Sequence, residues 1–367
     1  MYSDFREFYM KQCLDLALYG QGIVSPNPLV GCIIVKDNKI ISTGFHGENG
    51  FFHAERVALM KPGNYEGATL FVNLQPCSHF GNTPPCTDII IEKKISKVIY
   101  GIEDPNIDSV IYSDNELKKN RIIIEKNILR KECILLNRFF FINHKKNRPY
   151  IFGKWGQTID GKIADYKFKS KFITNNQSRQ HSHNLRFSAD GILVGINTVL
   201  NDNPMLNIRL KKSKNLKRIV IDPDLSIKTD CNLVKTAKKI STIIFSKAFQ
   251  CEKELFLKDN GVIIRKLEDF SIKNILRVLY IEFNVKILML EGGGKTLGKF
   301  LKKKLLDEIF VYIAPIISGD KNSVSCSDRQ EYVDIDNFTQ FKFLGHKIIE
   351  DDILLNYIGE SVNCLLE

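Results

Sequence analysis

The sequence predicts an α/β protein with two domains, on three observations. Apolar runs of strand length alternate with amphipathic helical segments along the 367 residues. The charged stretch HKKNRP, residues 144–149, ends in a proline and separates two such series, so it is the best linker candidate. Hydrophobic residues make up 44% of the chain, enough for each half to bury its own core. We therefore place one domain at 1–146 and another at 147–367.

The elements of the first domain follow from periodicity and turn residues. Apolar residues near helical spacing predict a helix over 5–18, with Ser3 as a possible cap. Residues 31–46 predict two strands around a turn at Asp37-Asn38. The other predicted elements are helices at 53–60, 87–94 (behind Pro84 and Pro85) and 132–146, and strands at 68–74, 97–103 and 121–126. This alternation implies an α/β sandwich.

The second domain shows another α/β series. It runs through segments 149–158, 191–200, 217–222, 241–247, 261–267, 286–293 and 308–318. The tail, FKFLGHKIIEDDILLNYIG, alternates around a polar turn and predicts a closing hairpin.

Composition argues against a membrane protein and against a disulfide framework. The chain has no run of about 18 uninterrupted apolar residues, and its N-terminus lacks the apolar centre of a signal peptide. We therefore expect a cytoplasmic protein with no membrane partner. The nine cysteines are odd in number and scattered, which does not suit paired disulfides.

The formal charge of +11 is compatible with nucleic-acid binding or with an anionic phosphate substrate. The excess lysine is spread along the chain among Ile and Asn, as in LKKSKNLKR and FLKKKLLDE. No basic stripe interleaved with aromatic residues stands out. We therefore expect solvated lysine faces and no nucleic-acid partner.

Two segments of the first domain carry potential zinc ligands. GFFHAERVAL contains His53 and Glu55 at the start of a predicted helix, and NLQPCSHFGNTPPC contains Cys77 and Cys86. One imidazole and two thiolates leave the fourth position of a catalytic zinc for water, whose pKa the ion lowers. Glu55 could take a proton from that water and pass it to a leaving amine. His-x-Glu followed by Pro-Cys is the signature of nucleobase deaminases.

The cysteine spacing departs from that signature, which has Cys-x-x-Cys. Eight residues separate Cys77 from Cys86, so the loop reaches one ion only if a helix start brings Cys86 back. Two other interpretations stay open, namely buried free thiols and a catalytic Cys–His pair. The pair would leave thiols and Glu55 without roles, so the zinc interpretation is favoured.

The segments HAE, PCSHFGNTPPC, SPNPLVGCIIV (25–35) and GIEDPN (101–106) resemble the deaminase half of the bifunctional riboflavin-biosynthesis deaminase–reductases. The resemblance implies a cytidine-deaminase-like α/β/α sandwich that binds Zn²⁺. It also implies hydrolytic deamination of a diaminopyrimidinone that carries a phosphoribosylamino group. Substrate contacts by Asn27, His46 and His79 are implied as well. Where members often have a glutamate and a basic residue, this chain has Gln75 and Asn82.

In the second domain, LEGGGKTLGKF (290–300) invites a comparison with phosphate-binding motifs. A P-loop ending at Lys295-Thr296 needs glycine at 289, where this chain has Met289. The Rossmann G-x-G-x-x-G pattern fails because its last glycine falls on Leu297. What remains is a strand, a glycine turn and a helix start, which is either an anion cradle or a plain tight turn.

Four segments resemble, in this order, the reductase half of the same bifunctional family: GKWGQTIDGKIAD, SKFIT, ADGILVGINTVLNDNPMLNIR and the EGGG turn. The resemblance implies a dihydrofolate-reductase-like α/β domain that uses NADPH to reduce the ribose to a ribityl chain. The implied NADPH contacts are Gly156, Phe172, Thr198, Asp202, Pro223, Gly293, Gly294, Lys295, Thr296, Leu297, Gly298 and Lys299. The implied substrate contacts are Lys154, Ser170, Arg186, Leu206, Arg209 and Glu291.

The favoured hypothesis is a bifunctional enzyme acting on a phosphorylated pyrimidine, with deamination in 1–146 and reduction in 147–367. Two alternatives remain: an active deaminase with a degenerate reductase domain, and a nucleic-acid base deaminase. Phe172 and the segment KFKS, which differ from the pattern of relatives, motivate the first alternative. Relatives also suggest a homo-oligomer.

Overall fold

The computed structural model describes residues 4–48, 50–81, 83–105, 107–170, 173–208, 215–327 and 334–367. Four residues named above, Ser3, Asn82, Phe172 and Arg209, lie outside these ranges. The chain packs as two compact units, 1–146 and 147–365. Among the described residues, no helix is both long and apolar enough to cross a membrane.

The first unit is a single sheet with helices on it. Its described strands are β1 (Gly31–Lys36), β2 (Lys39–Phe45), β3 (Thr69–Val72), β4 (Lys97–Tyr100) and β5 (Ile123–Lys126). Its described helices are α1 (Phe5–Ala17), α2 (Ala54–Leu59), α3 (Cys86–Glu92), α4 (Ile107–Lys119), α5 (Arg130–Leu136) and α6 (Arg138–Lys146). The strands lie in the order β2-β1-β3-β4-β5, antiparallel on either side of β1 and parallel from β3 to β5.

The helices of this unit form two groups by their packing. α1 packs on β1 and β3 and contacts α5, which contacts α6. α2 packs on β2 and β1 and contacts α3, which contacts α4. β1 is buried along almost its whole length, as expected for a central strand covered on both faces. The α/β/α sandwich expected from the sequence is therefore confirmed.

Local sequence explains most of these boundaries. The turn between β1 and β2 has Asp37 at φ 50° and Asn38 at φ 58°, the left-handed pair of a two-residue hairpin. The cap of α1 is Asp4, whose side chain accepts from the Arg6 N–H at 2.9 Å. The helix α4 was not predicted, although its segment IDSVIYSDNELKK has Ile107, Val110, Ile111 and Leu117 at helical spacing.

The single helix predicted over 132–146 is wrong, because the chain breaks at Asn137 into α5 and α6. The Asn137 amide is fully buried and bonds the backbone of Leu29, accepting from its N–H at 2.7 Å and donating to its carbonyl at 2.9 Å. A buried amide that bonds a distant backbone competes with the helix ladder. The break is thus set by a contact across 108 residues.

The second unit is built on a larger sheet. Its described strands are β6 (Tyr150–Gln157), β7 (Lys162–Ala164), β8 (Gly191–Gly195), β9 (Lys217–Ile221), β10 (Thr242–Ser246), β11 (Val262–Lys266), β12 (Ile287–Leu290), β13 (Glu308–Ile313), β14 (Val324–Ser325), β15 (Lys342–Ile349) and β16 (Asp352–Ile358). Its described helices are α7 (Asn176–Ser188), α8 (Ile196–Asp202), α9 (Asn232–Lys235), α10 (Cys251–Asp259), α11 (Ile272–Ile281), α12 (Gly294–Lys302) and α13 (Glu360–Leu366).

Nine of these strands form one sheet in the order β11-β10-β9-β8-β12-β6-β13-β16-β15. The strands from β11 to β13 are parallel, and β16 and β15 add the predicted hairpin as an antiparallel edge. β7 and β14 pair separately. In a parallel sheet the carboxyl ends of the strands share one edge, where ligands bind. The turns after β6, β8, β9 and β12 therefore meet at that edge.

We expect Asn137→Ala to destabilise the first unit by about 1–3 kcal/mol, because the buried N–H of Leu29 loses its side-chain acceptor. The measurement is urea unfolding followed by far-ultraviolet circular dichroism. Trp155, the one tryptophan of the chain, lies in β6 and reports on the second unit by its fluorescence.

The control is Asn120→Ala, which removes an exposed asparagine at the end of α4 and should change stability by less than about 0.5 kcal/mol. Equal midpoints for the two variants would contradict the role assigned to Asn137.

Candidate active sites

A three-ligand cluster forms at the starts of two helices of the first unit. His53 is the N-cap of α2, and Cys86 is the first residue of α3. His53 Nδ1 lies 3.4 Å from the Sγ atoms of both Cys77 and Cys86. All three ligand atoms lie within 4.8 Å of one another. A tetrahedral zinc ion with the usual bond lengths would separate its nitrogen and sulfur ligands by about 3.6 Å, so this set fits zinc.

The loop between the cysteines closes on itself. The Cys77 carbonyl accepts from the N–H of Cys86 at 3.0 Å and from that of Thr87 at 3.2 Å. The Cys86 N–H also lies 3.4 Å from Cys77 Sγ. Because the first N–H groups of a helix lack acceptors within it, Cys77 serves as a cap for α3. These bonds bring Cys86 back to Cys77, which explains why eight intervening residues are tolerated.

The two thiols do not ionise alike. A hydrogen bond from Cys86 lowers the pKa of Cys77 to about 4, and His53 contributes in the same direction. The same bond raises the pKa of Cys86 well above its usual value. The hydrogen bond between the two sulfurs thus favours a thiolate at Cys77, next to an imidazole nitrogen. A divalent ion that binds thiolates takes the place of the thiol proton.

Glu55 lies in the first turn of α2 and is only 3% exposed. Burial raises the pKa of its carboxyl group, although the nearby His53 opposes the shift. α2 can lie this close to the sheet because of Gly44, where a Cβ would come within 2.3 Å of the Ala54 carbonyl oxygen. Glu55 is therefore held in place beside the ligands and is prone to accept a proton.

Two of the ligands, His53 and Cys77, line a cavity of about 280 Å³ together with Glu55. Its lining includes the three residues expected at the substrate, Asn27, His46 and His79. His46 is buried, with Nδ1 3.1 Å from the Phe52 carbonyl oxygen and Nε2 3.1 Å from Asn27 Nδ2. A carbonyl only accepts, so Nδ1 carries the hydrogen and Nε2 accepts from Asn27. Burial lowers the pKa of His46, which favours this neutral form.

Sequence reasoning missed several residues of this cavity, among them Asp104, Phe140 and His144. Asp104 belongs to GIEDPN, but the segment had no assigned role. Phe140 and His144 are four residues apart on α6, and their rings meet at 4.5 Å. That spacing predicts a shared helix face, but nothing in it indicates which cavity the face lines.

Charged residues from three elements meet in the second unit. Arg186 of α7 donates to Glu291 twice, from Nε at 2.7 Å and from a terminal nitrogen at 2.8 Å. The other terminal nitrogen donates to the Asn207 carbonyl at 3.0 Å. Although burial opposes ionisation, Arg186 holds the pKa of Glu291 down to about 2. Only 11% of the Arg186 side chain is exposed, so its ion pair with Glu291 is largely buried.

Lys154 of β6 lies beside this ion pair and is partly buried. Burial lowers its pKa, while the charge of Glu291 raises it and that of Arg186 lowers it. Among the described residues, none accepts a hydrogen bond from the Lys154 ammonium. Its N–H groups are thus available to a ligand.

The turns after β8 and β12 touch each other. A Cβ on Gly195 would lie 2.4 Å from Thr296 Oγ1, and one on Gly293 would lie 3.7 Å from Thr198 Oγ1. The Thr296 N–H donates to the Gly293 carbonyl at 3.0 Å, whereas the N–H groups of Gly294 and Lys295 come before the first N–H that has a carbonyl acceptor in the helix. The glycines let a ligand approach these two groups. The residues at this edge therefore fit the pyrophosphate of a dinucleotide.

The other expected contacts of this unit have varied positions. Within the range 293–299, Gly294, Leu297 and Gly298 are buried, and Gly293 and Thr296 are partly exposed. Leu206 is 3% exposed at φ 45°. Asp202 ends α8, Pro223 follows β9, and Ser170 lies in a partly exposed loop. At Gly156 of β6, a Cβ would lie 2.8 Å from Thr174 Cγ2. Lys295 and Lys299 are exposed.

Two family models match the chain. One is described as the RibD C-terminal domain and matches residues 149–355. The other is described as the cytidine and deoxycytidylate deaminase zinc-binding region and matches residues 3–102.

Curated relatives match over most of their length. The chain is 41% identical to the riboflavin biosynthesis protein RibD of Aquifex aeolicus, over 86% of this chain and 88% of the relative. It is 30% identical to the protein of the same name from Escherichia coli, over 96% and 99%.

Solved structures agree. A diaminohydroxyphosphoribosylaminopyrimidine deaminase/5-amino-6-(5-phosphoribosylamino)uracil reductase from Thermotoga maritima is 33% identical and has a TM-score of 0.86. The match covers 96% of this chain and 98% of that one. The deaminase-like and dihydrofolate-reductase-like fold classes are thereby confirmed.

We expect purified protein to hold about one zinc ion per chain, and Cys86→Ala to hold at least about tenfold less, because a thiolate ligand is lost. The measurement is zinc content by mass spectrometry after dialysis. Cys133→Ala is the matched control, since this cysteine is equally buried but lies outside the cluster. Full zinc in the Cys86 variant would exclude it as a ligand.

Proposed function

Because the chain belongs to the family of RibD riboflavin-biosynthesis deaminase–reductases, we propose that residues 1–146 carry the deaminase and residues 147–367 the reductase. The chain is a bifunctional enzyme, a zinc-dependent aminohydrolase and an NADPH-dependent oxidoreductase. The observation that carries the proposal is the convergence of the ligand atoms of His53, Cys77 and Cys86. This cluster lies at a cavity that His53, Cys77 and the buried Glu55 line.

In the proposed first reaction, 2,5-diamino-6-(5-phosphoribosylamino)pyrimidin-4-one loses its 2-amino group to water. The products are ammonia and 5-amino-6-(5-phosphoribosylamino)uracil. In the second, the ribosyl group would be opened and reduced at C1 to a ribityl chain, with NADPH as the hydride source and one proton taken up. The product is 5-amino-6-(5-phosphoribitylamino)uracil.

In the deaminase, His53 Nδ1 and the two sulfurs would hold the zinc ion. When bound, zinc supplies a water of lowered pKa at its fourth position. Glu55 takes a proton at its carboxylate and delivers one to the leaving amine, which suits a carboxyl group whose pKa burial raises. Its position in the first turn of α2 fixes it relative to His53.

Asn27 and His46 orient the pyrimidine. The bond from Asn27 to His46 Nε2, and that from His46 Nδ1 to the Phe52 carbonyl, hold both side chains in the cavity wall. Because these side chains are already oriented before the substrate binds, less entropy is lost in reaching the transition state. His79 is exposed on the cysteine loop and contacts the substrate from the outer part of the cavity.

In the reductase, the first turn of α12 receives the cofactor phosphates, and Thr198 lies next to it. Gly156, Asp202 and Pro223 complete the cofactor contacts, as the resemblance implies. The cofactor itself carries the hydride, so the task of the protein is to bind and orient it.

Lys154 and the Arg186–Glu291 pair hold the substrate sugar and its phosphate. The N–H donors of Lys154 suit a sugar hydroxyl, and the guanidinium of Arg209 suits a phosphate. Arg186 donates to Glu291 and the Asn207 carbonyl, so its part is to hold Glu291 in place. Ser170, Leu206 and Arg209 complete the proposed set of substrate contacts. The proposed set thus offers Lys154 to a sugar hydroxyl and a guanidinium to the phosphate, the two kinds of group that a phosphorylated sugar carries.

The cytoplasm is the proposed location, and a homo-oligomer the proposed assembly. All nine cysteines are free thiols, which suits a reducing compartment. β15 lies at the edge of the large sheet and exposes Phe343 (54%) and Ile348 (70%). An apolar edge strand can pair with another chain, which supports assembly.

We expect Glu55→Gln to retain zinc but to lower ammonia release by about 10²–10⁴-fold, because the proton carrier is lost. The assay measures ammonia with the diamino substrate and, separately, NADPH oxidation with the deaminated intermediate, which should be unchanged. Glu92→Gln, on the exposed face of α3, is the control. Normal deamination by the Glu55 variant would remove Glu55 from its proposed role.

We expect Lys154→Met to lower reductase kcat/KM by about 10–100-fold, the size of a lost hydrogen bond from a charged group. Ammonia release and NADPH affinity should not change. Lys217→Met in β9 serves as the control for replacing a strand lysine. An unchanged NADPH oxidation rate would make Lys154 a structural residue.

A further inference from the structure

The Lys154 ammonium faces an aromatic ring. Lys154 Nζ lies 5.7 Å from the centroid of Tyr312, on the neighbouring strand β13. Among the described residues, no hydrogen-bond acceptor competes for this ammonium. A cation within about 6 Å of a ring face is attracted by the negative face of the ring.

Tyr312 is itself held in place. It is 1% exposed and packs against Ile349, Leu354 and Leu185. Its hydroxyl lies 2.8 Å from Nδ1 of His181. His181 lies on α7, five residues before Arg186. Burial lowers the pKa of His181 and raises that of Tyr312, so the hydroxyl stays protonated and donates to the neutral imidazole.

We propose that Tyr312, held by His181, is a positioning residue of the reductase whose ring keeps the Lys154 ammonium in place for the substrate. The inference rests on the proposed function of Lys154. A hydroxyl buried in an otherwise apolar contact needs a partner, and His181 provides it. The pair links α7 to β13 and so fixes the ring relative to both Lys154 and the Arg186–Glu291 pair.

The charged groups around Lys154 come from several elements. Glu291 follows β12, Arg186 and His183 lie on α7, and Lys347 of β15 faces His181. Glu291 favours the charged form of Lys154, whereas Arg186 and burial oppose it. The ring of Tyr312 raises the pKa of Lys154, as Glu291 does, because it stabilises the ammonium relative to the neutral amine.

The charge of Lys154 makes the reductase rate depend on pH. Lys154 is charged below its pKa, so a reaction that needs the ammonium declines on the alkaline side as pH passes that value. Removing the ring lowers this pKa further and moves the alkaline decline to lower pH. A ring that serves only as packing would not move it.

The experiment uses the full chain with the deaminated intermediate and NADPH. In Tyr312→Leu, we expect the alkaline midpoint of reductase kcat to fall by about one pH unit. Tyr312→Phe keeps the ring and should keep the midpoint, with a lower kcat because the bond to His181 is lost. His181→Leu should behave like Tyr312→Phe.

A second pair of variants keeps the shape of the ring. Phenylalanine and 3,4,5-trifluorophenylalanine at position 312 differ in the negative charge of the ring face. We expect the fluorinated ring to shift the midpoint in the direction of Tyr312→Leu. If Tyr312→Leu folds poorly, this pair of variants still tests whether the negative face of the ring raises the pKa of Lys154.

The fluorescence of Trp155 in β6 reports whether the second unit is folded, and it should be the same in every variant. Ammonia release, measured separately with the diamino substrate, should stay constant because it belongs to the first unit. A loss of reductase kcat with unmoved midpoints in both the Leu and fluorinated variants would overturn the proposal. Failure of the unmodified chain to oxidise NADPH would instead overturn the proposed reductase function, so the two failures are distinguishable.

Discussion

The first turn of an α-helix presents backbone N–H groups that no carbonyl of that helix can accept from. Both sites are assembled where this shortage occurs. In the first unit, the Cys77 carbonyl accepts from the N–H groups of Cys86 and Thr87 at the start of α3. These hydrogen bonds hold the two thiols close together. In the second unit, the N–H groups of Gly294 and Lys295 begin α12 ahead of Thr296, whose N–H donates to the Gly293 carbonyl. The same constraint thus brings metal ligands together in one unit and leaves backbone donors at the proposed phosphate site in the other.

Buried charge distinguishes the two sites. Glu55 is buried near groups that can lose or share protons, so its carboxyl group holds a proton more readily. Glu291 is buried as well, but the two hydrogen bonds from Arg186 keep it ionised. Environment therefore gives two glutamates opposite tendencies. One suits proton transfer, and the other suits holding positively charged partners in place.

Much of the secondary structure followed from local patterns, and the exceptions have physical causes. The Asp37-Asn38 turn is local, because both residues tolerate a left-handed backbone. The break at Asn137 is not local, because it depends on the backbone of Leu29 far away in the sequence. The helix α4 was missed although Ile107, Val110, Ile111 and Leu117 stand at helical spacing in its sequence. Local periodicity therefore covers α4, but it cannot register a tertiary contact such as that of Asn137.

The sequence by itself determined the chemistry of the metal centre, since His53, Glu55, Cys77 and Cys86 occur in short motifs whose residue types suit zinc. It also indicated the glycine turn before α12. Only the tertiary structure decided that Tyr312 lies beside Lys154, because β6 and β13 become neighbours through the order of the sheet. In the sequence, Tyr312 belongs to an apolar strand and carries no sign of a partner. Strand order depends on how the whole sheet packs, and no short segment encodes it.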